Sequence, residues 1–480
     1  MLLAAASPSP TGRAPRADAT ERARRQVAGL VLVFYLLLIF EGALRKWLLT
    51  SWGQPLFFVR DPFVLAIYWL ALRHGFYPRG NALARIAIAF GLLGLLLIVV
   101  QALGVAATID KWPLLAAYGW RNYFLYMPLP FVIGETLRNA DLRRIARITF
   151  LLAIPIAALV VLQFRAPLDS PINVGFGATL AQQFHGLAVQ MNHTRPMGTF
   201  TSDVGQKEFV VTGLALLVAL WVAPASRRYL QLWQMVVVTG ALLTCLALSG
   251  SRGAMLASAL VVIAAVASAG VVKRVAARTI LVPAVIVGVA VALYPLLFPE
   301  GYSTFMNRWT ESEVSETQVF AWGIFGRALY AFYDFFQFLG STPLTGYGLG
   351  LAGNASLILG VTIPGFTGWA ESDWSRHIVD LGPVFGMSFI AYRIALIIWL
   401  AVICVRGARR SGNQLPIILF ASCAFELLAG QITGHGTVNG YTWLFTGLTL
   451  VAARADSWQP QLRTEREAAV AATPFPNLLR

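Results

Sequence analysis

Apolar residues run in long unbroken blocks, and the polar ones gather between the blocks rather than alternating with them. Stretches such as 27–40, 83–103, 230–248, 254–269 and 280–298 approach or reach the ~20 apolar residues that cross a bilayer. The pattern predicts about twelve spans, near 27–44, 57–74, 83–104, 113–135, 146–164, 207–223, 230–249, 253–270, 279–298, 378–404, 415–432 and 437–453. A bare backbone cannot be satisfied in hydrocarbon, so spans are helices or closed-barrel strands. Runs of this length and continuity are helical, not the ~10-residue alternating segments of a barrel. The expected class is an all-α polytopic membrane protein: one transmembrane domain over 27–453, with tails at 1–26 and 454–480.

Composition agrees. Of 480 residues, 57% are hydrophobic and 12% charged; a soluble protein has about 25% charged. Too few polar segments remain to solvate the surface of soluble domains. The start, "MLLAAASPSPTGRAPRADATERARR", places its charge after a short apolar stretch. That order is the reverse of a signal peptide, so it is expected to be a disordered tail. The three cysteines, Cys245, Cys404 and Cys423, all fall in expected spans and serve packing.

Charge then orients the bundle. Segments 13–25, 73–85, 138–147, 227–228, 273–278, 406–410 and 454–480 hold 24 of the 37 basic residues and alternate with poorly charged loops. By the positive-inside rule these face the cytoplasm, and so do both termini. The net charge of +15 reflects this topology and contact with anionic lipids, not nucleic-acid binding. The longest external segments are then about 165–206 and 299–377. The second holds the acidic "ESEVSE", expected to be a solvated face. It also holds the aromatic stretch 319–340, expected to be an amphipathic helix lying on the outer surface or dipping in and returning.

Candidate chemistry collects on that outer side. "LSGSRGAMLA" sets Arg252 on a tight external turn between two spans. The guanidinium either snorkels and caps or, with the N–H groups opening the next helix, binds an anion. Arg195 lies in "RPMGTF". His377 heads the tenth span, with Asp373 four residues before it and Asp380 three after. On one continuous helix both carboxylates reach the face of the imidazole. Arg121 and Arg393 fall inside expected spans, where charge marks function, although Arg121 has Glu426 or Glu41 as a partner. His185 and His193 have no Cys or acid at ligand spacing, and no Asp-x-Asp motif is present, so neither metal nor cofactor is expected. "GYGLG" carries no Lys and follows no strand, which makes it a flexible turn rather than a phosphate loop. His74 and His435 are expected to be structural.

"LSGSRGAMLA", "GYGLG" and "ESDWSRHIVDLGPVFG", in that order and on one side, resemble the O-antigen ligase / polysaccharide polymerase superfamily of bacterial inner-membrane proteins. "FEGALRKW", "FFVRDPFVL" and "YGWRNYFLYMPLPFVIGE" are similar to its exopolysaccharide polymerase-like subgroup. Ile378 stands where the family pattern usually has Asn. The resemblance implies a GT-C-like membrane glycosyltransferase. Its donor is a polyprenyl-diphosphate-linked oligosaccharide, and its acceptor is the sugar hydroxyl of a growing glycan or lipid. Arg252, Arg195, Arg121 and Arg393 would bind the diphosphate. His377 would take the acceptor proton, oriented by Asp373 and Asp380. A flippase and a chain-length regulator would be companion proteins. A ligase using lipid A-core as acceptor shares this chemistry. A flippase without covalent chemistry is the third class, and the lack of internal repeats argues against it.

Overall fold

Glycine closes several helices, at Gly340, Gly382, Gly412 and Gly430, and the apolar blocks of the chain become helices. The computed structural model describes residues 15–53, 55–167, 169–173, 195–272, 278–319, 323–353, 355–356, 360–361 and 370–454. Among these residues the fold is all-helical and has no strand. The first half comprises α1 (Pro15–Ala43), α2 (Asp61–Arg73), α3 (Ala82–Gln101), α4 (Trp112–Trp120), α5 (Leu129–Thr136) and α6 (Asn139–Arg165). Next come α7 (Asp203–Val222), α8 (Leu232–Leu248), α9 (Arg252–Val271), α10 (Arg278–Leu297), α11 (Pro299–Val319), α12 (Gly323–Tyr330) and α13 (Phe336–Leu339). The chain then forms α14 (Asp373–Leu381), α15 (Pro383–Ser411), α16 (Leu415–Ala429) and α17 (Gly436–Ala453).

Among the described residues, seven helical segments are long and apolar enough to cross a membrane: Ala19–Leu48, Pro55–Arg73, Ala82–Gln101, Asn139–Arg165, Asp203–Val222, Arg252–Val271 and Pro383–Ser411. Leu232–Leu248 and Leu415–Ala429 are apolar but shorter. The expected fourth span, 113–135, is broken. After α4 the backbone widens into a π-helical turn at Arg121–Leu125 before α5 begins. A π turn of this kind re-aims successive side chains. Here it buries Arg121, Asn122 and Tyr123 together.

α17 is the hub. It packs on α1, α5, α6, α7, α15 and α16, and every residue from Val438 to Ala453 is buried. Two of its threonines are satisfied within the helix: Thr446 donates to the Thr442 carbonyl and Thr449 to that of Phe445, each at 2.7 Å. Small residues allow close approach, as in membrane bundles generally. A Cβ on Gly407 would lie 2.3 Å from the Ala453 carbonyl oxygen. At the periphery the outward face of α3 is Leu-rich, with Leu92, Leu96 and Val99 exposed.

Three expectations change. Residues 15–26, expected in a disordered tail, extend α1. They are rich in helix-forming Ala, Arg and Glu, and Arg24 is anchored to Asp141 at 2.7 Å. The stretch 319–340 is not one amphipathic helix but α12, a run of turns and α13. Asp334 in those turns receives the Ser372 hydroxyl at 2.6 Å, which pulls the chain back to the bundle. His377 does not head a span. It lies on the short α14, which ends at Gly382 before Pro383 opens α15. Proline cannot continue the preceding helix. Residues 174–194, which include His185 and His193, and 455–480 of the C-terminal tail lie outside the described residues.

Candidate functional site

α14 is buried over its whole length although its sequence, "DWSRHIVDL", is mostly polar. Burying polar groups is costly without partners, and several of the partners here come from distant segments. Asp373 Oδ2 accepts from Arg393 Nη1 at 2.7 Å, and Oδ1 accepts the Thr433 hydroxyl at 2.6 Å. Arg393 Nη1 also donates to His377 Nε2 at 2.7 Å. His377 Nδ1 is 3.2 Å from the Tyr123 hydroxyl, which donates to Asp380 Oδ2 at 3.1 Å.

These distances fix the tautomer. Arginine can only donate, so Nε2 of His377 is an acceptor and the ring proton of the neutral imidazole sits on Nδ1. It is passed as a hydrogen bond to Tyr123, and Tyr123 passes its own to Asp380. Burial first, then the guanidiniums of Arg393 and Arg376, push His377 from 6.5 down to about 3, against the pull of Asp373. The imidazole is therefore neutral across the physiological range. Burial would raise the Asp373 carboxyl, yet His377, the Arg393 and Arg376 guanidiniums and the Thr433 hydroxyl together hold it below the usual carboxylate range. Burial pushes Asp380 up to about 7.

The expected clamp of both carboxylates on His377 is therefore only half present. Asp373 Oδ2 lies 3.7 Å from His377 Nε2, whereas Asp380 reaches the ring only through Tyr123. The cause is again the end of the helix at Gly382. Asp380 sits in the last turn and turns toward the "GYGLG" segment, accepting from the Ala352 N–H at 2.8 Å.

"GYGLG" is no flexible turn. Gln101 at the end of α3 donates to the Thr345 and Asp380 carbonyls at 2.6 and 2.8 Å and accepts from Leu349 N–H at 2.9 Å. Tyr347 N–H bonds the Val379 carbonyl at 2.8 Å. Gly346, with φ +74°, leaves a Cβ only 2.4 Å from the Asp380 carbonyl oxygen. The glycines permit a backbone-to-backbone latch around the end of α14.

Arg121 and Arg393 are committed inside the protein rather than offered to a ligand. Arg393 is 0% exposed. Its Nε donates to the Leu427 carbonyl, Nη1 to Asp373 and His377, and Nη2 to the Glu426 and Gly430 carbonyls. That uses all five guanidinium donors. Arg121 pairs with neither Glu426 nor Glu41 but with Asp61, at 2.7 Å, and donates to Asn122, Tyr126 and the Phe57 carbonyl. Glu41 instead holds Arg45 and Arg60 at 3.3 and 2.7 Å. The three subgroup-like motifs thus meet in one buried charge network. Asn122 continues it by donating to the Thr433 carbonyl at 3.1 Å, one residue's reach from Asp373.

Arg195 and Arg252 lie outside this buried network, in a partly exposed cluster, the mouth, that Asp203 and Lys207 connect to His435. Arg195 pairs with Asp203 at 2.7 Å, each side chain 27% exposed. Arg252 opens α9, and Ser251 caps that helix by accepting from Ala254 N–H at 3.2 Å. The Lys207 side chain lies 4.0 Å from where a Cβ on Gly253 would stand. Lys207 bridges Glu426 and Glu208 at 2.5 and 3.1 Å.

Two mouth residues were not among the expected site. Arg376 is 5% exposed; its Nε donates to the Ala370 carbonyl, while its Nη1 is buried with no hydrogen-bond acceptor among the described residues. His435, expected to be structural, stands half-buried. Its pKa falls to about 4 through burial and the cations Arg376 and Lys207, against the pull of Asp203 and Asp373. Arg376 is adjacent to His377 in the quoted motif, and Lys207-Glu208 is a charged pair in the first turns of an apolar helix, which is itself a signal of function. No residue spacing connects His435 to either. Comparison with known proteins finds no family model that matches the chain and no curated protein that matches it.

Proposed function

We propose that the protein is a polymerase of lipid-linked oligosaccharide repeat units in surface polysaccharide biosynthesis. It acts on the outer face of the bacterial inner membrane, through a GT-C-like bundle of about twelve spans with both termini cytoplasmic. The observation that carries the reading is the mouth: Arg376 and Lys207 act on the ring of the neutral His435, Arg195 pairs with Asp203 beside them, and Arg252 opens α9 next to Gly253, which faces Lys207. Fixed cations at a site of departing negative charge stabilise it without reorganisation. The resemblance of "LSGSRGAMLA" and "ESDWSRHIVDLGPVFG" supplies the substrate class.

In this reading the donor diphosphate lies against Arg376 and Arg252. The acceptor sugar hydroxyl gives its proton to an imidazole. Its oxygen bonds the anomeric carbon as the carbon–oxygen bond to phosphate breaks, and the diphosphate leaves with the electron pair. One displacement inverts the anomeric centre. In this reading His435, beside the charges of Arg376 and Lys207, takes that proton. The bound dianion offsets Arg376 and Lys207, which raises the His435 pKa toward the useful range. His377, with Nε2 held by Arg393, positions Arg376 through α14.

The test is reconstitution of the purified chain in liposomes with a polyprenyl-diphosphate oligosaccharide, in EDTA. A product ladder is the expected result. A single transfer to added lipid A-core would identify a ligase, and movement across the bilayer without transfer would identify a flippase. Restoration of turnover only by magnesium would reject catalysis by arginine alone.

A further inference from the structure

α7 runs from the mouth at Asp203 to Val222 at the other end of the bundle, about 30 Å away for 20 residues. At that end an open-sided hollow lies between the start of α6, the last turns of α7 and the head of α16. Its wall is apolar and includes Leu142, Leu216 and Leu220. Its rim is polar and basic, formed by Arg143, Arg227, Tyr229 and Asn413, and no acidic residue lines it.

The rim is built rather than incidental. Arg227 Nη1 donates to the Gly412 carbonyl at 3.5 Å, which ties the 223–231 connection to the end of α15. Arg147 stacks over the Tyr229 ring at 5.4 Å and fixes it. Asn413 Oδ1 accepts from Leu415 N–H at 3.2 Å, which sets the amide's orientation. Its Nδ2 is buried with no hydrogen-bond acceptor among the described residues. A buried donor of this kind calls for an acceptor from outside the protein.

We infer that this hollow seats an anionic phospholipid, its phosphate between Arg143 and Arg227 with Asn413 Nδ2 donating to it, and an acyl chain on the Leu142–Leu216–Leu220 wall. Charge complementarity and the apolar wall both favour a lipid. The same end carries Trp233, 62% exposed, and exposed tryptophan belongs to the headgroup level of a bilayer. A soluble phosphate would use the rim but leave the apolar wall unexplained. The site does not depend on the reaction proposed above.

The experiment uses the full chain in detergent, scored by native mass spectrometry of retained lipid. Dioleoyl phosphatidylglycerol should be retained in preference to dioleoyl phosphatidylcholine. The double variant Arg143→Gln/Arg227→Gln should weaken phosphatidylglycerol retention about ten- to thirtyfold, from roughly 1 kcal/mol per basic residue near a lipid surface. Asn413→Asp keeps the oxygen that caps Leu415 and places an anion in the hollow. It should lose the lipid with the fold intact, which covers the case of a double variant that does not fold. Arg409→Gln/Arg410→Gln, at exposed positions on the same end, should retain it. Equal loss from that control would replace a site with diffuse charge and overturn the inference. So would unchanged retention in the rim variants, equal retention of phosphatidylcholine, or displacement of the lipid by equimolar glycerol phosphate.

Discussion

Arg393 Nη1 stands 2.7 Å from His377 Nε2 and 2.7 Å from Asp373 Oδ2. One arginine nitrogen thus holds a base and an acid that the sequence alone places face to face. Removing it leaves the Asp373 carboxylate buried without its cation. Losing one partner of a buried pair costs about 3–5 kcal/mol. Arg393→Met should therefore unfold at markedly lower temperature in detergent than the parent. Unchanged thermal unfolding would mean that Thr433 alone satisfies Asp373.

The two titrating groups of α14 oppose each other in pH. His377 falls from 6.5 to about 3, so the stability its neutral form contributes is present above 6.5 and is lost as pH falls toward 3. Asp380 rises from 3.8 to about 7, so its contribution is present below 3.8 and is lost as pH rises through 7. In the overlap the slopes cancel. His377→Gln should expose the second slope, with stability falling as pH rises from about 4 to 7. Asp380→Asn should expose the first, with stability falling as pH drops from about 6.5 to 3. Thermal unfolding of both variants across that range checks the signs, and parallel curves would refute the assignment.

Arg252 tests the mouth. Its planar fork can bind two phosphate oxygens at once, which a lysine cannot match. Arg252→Lys should keep fold and charge but lose much of the transfer rate, and Arg252→Ala should lose more. A charge-assisted hydrogen bond is worth roughly 1.5–3 kcal/mol, or about ten- to a hundredfold in rate. The quantity to measure is rate per folded molecule. Parental turnover in Arg252→Ala would reduce the residue to the helix opening that Ser251 already caps.

Topology can be read by cysteine labelling in intact cells. The three native cysteines are buried, so background is low. A cysteine at Ser312 should be labelled from outside and one at Ser411 should be protected. The reverse pattern would invert the bundle.

Fold class was legible because membrane spans follow from composition over ~20 residues, a signal that needs no tertiary information. The breaks were less so. Gly382-Pro383 does mark a helix boundary, yet the apolar run beyond it masks the boundary when hydropathy is averaged. The site divided along the same line. Asp373 and His377 lie one turn apart, so helical spacing found their contact. Tyr123, Thr433 and Gln101 are neutral side chains brought from distant segments, and no local pattern distinguishes them from ordinary helix residues. Arg121 and Arg393 stand out in the sequence as charges among apolar residues, but their partners do not, because pairing depends on which helices touch.

The buried position of α17 bears on how the chain is made. Helices synthesised first must lodge in the bilayer around a vacancy, since α1, α5, α6, α7, α15 and α16 all share a face with a helix that leaves the ribosome after them. With four threonines and an asparagine among its 18 residues, that helix enters lipid less readily than its neighbours and gains most by sliding straight into the protein. Assembly of these six helices is thus completed only when α17 arrives. Until α17 arrives, Asn439 cannot reach Asn122 and Ile432, and the mouth around His435 is not formed. A chain stalled or truncated before α17 therefore leaves the faces of those six helices uncovered, a target for quality control rather than a partly working protein.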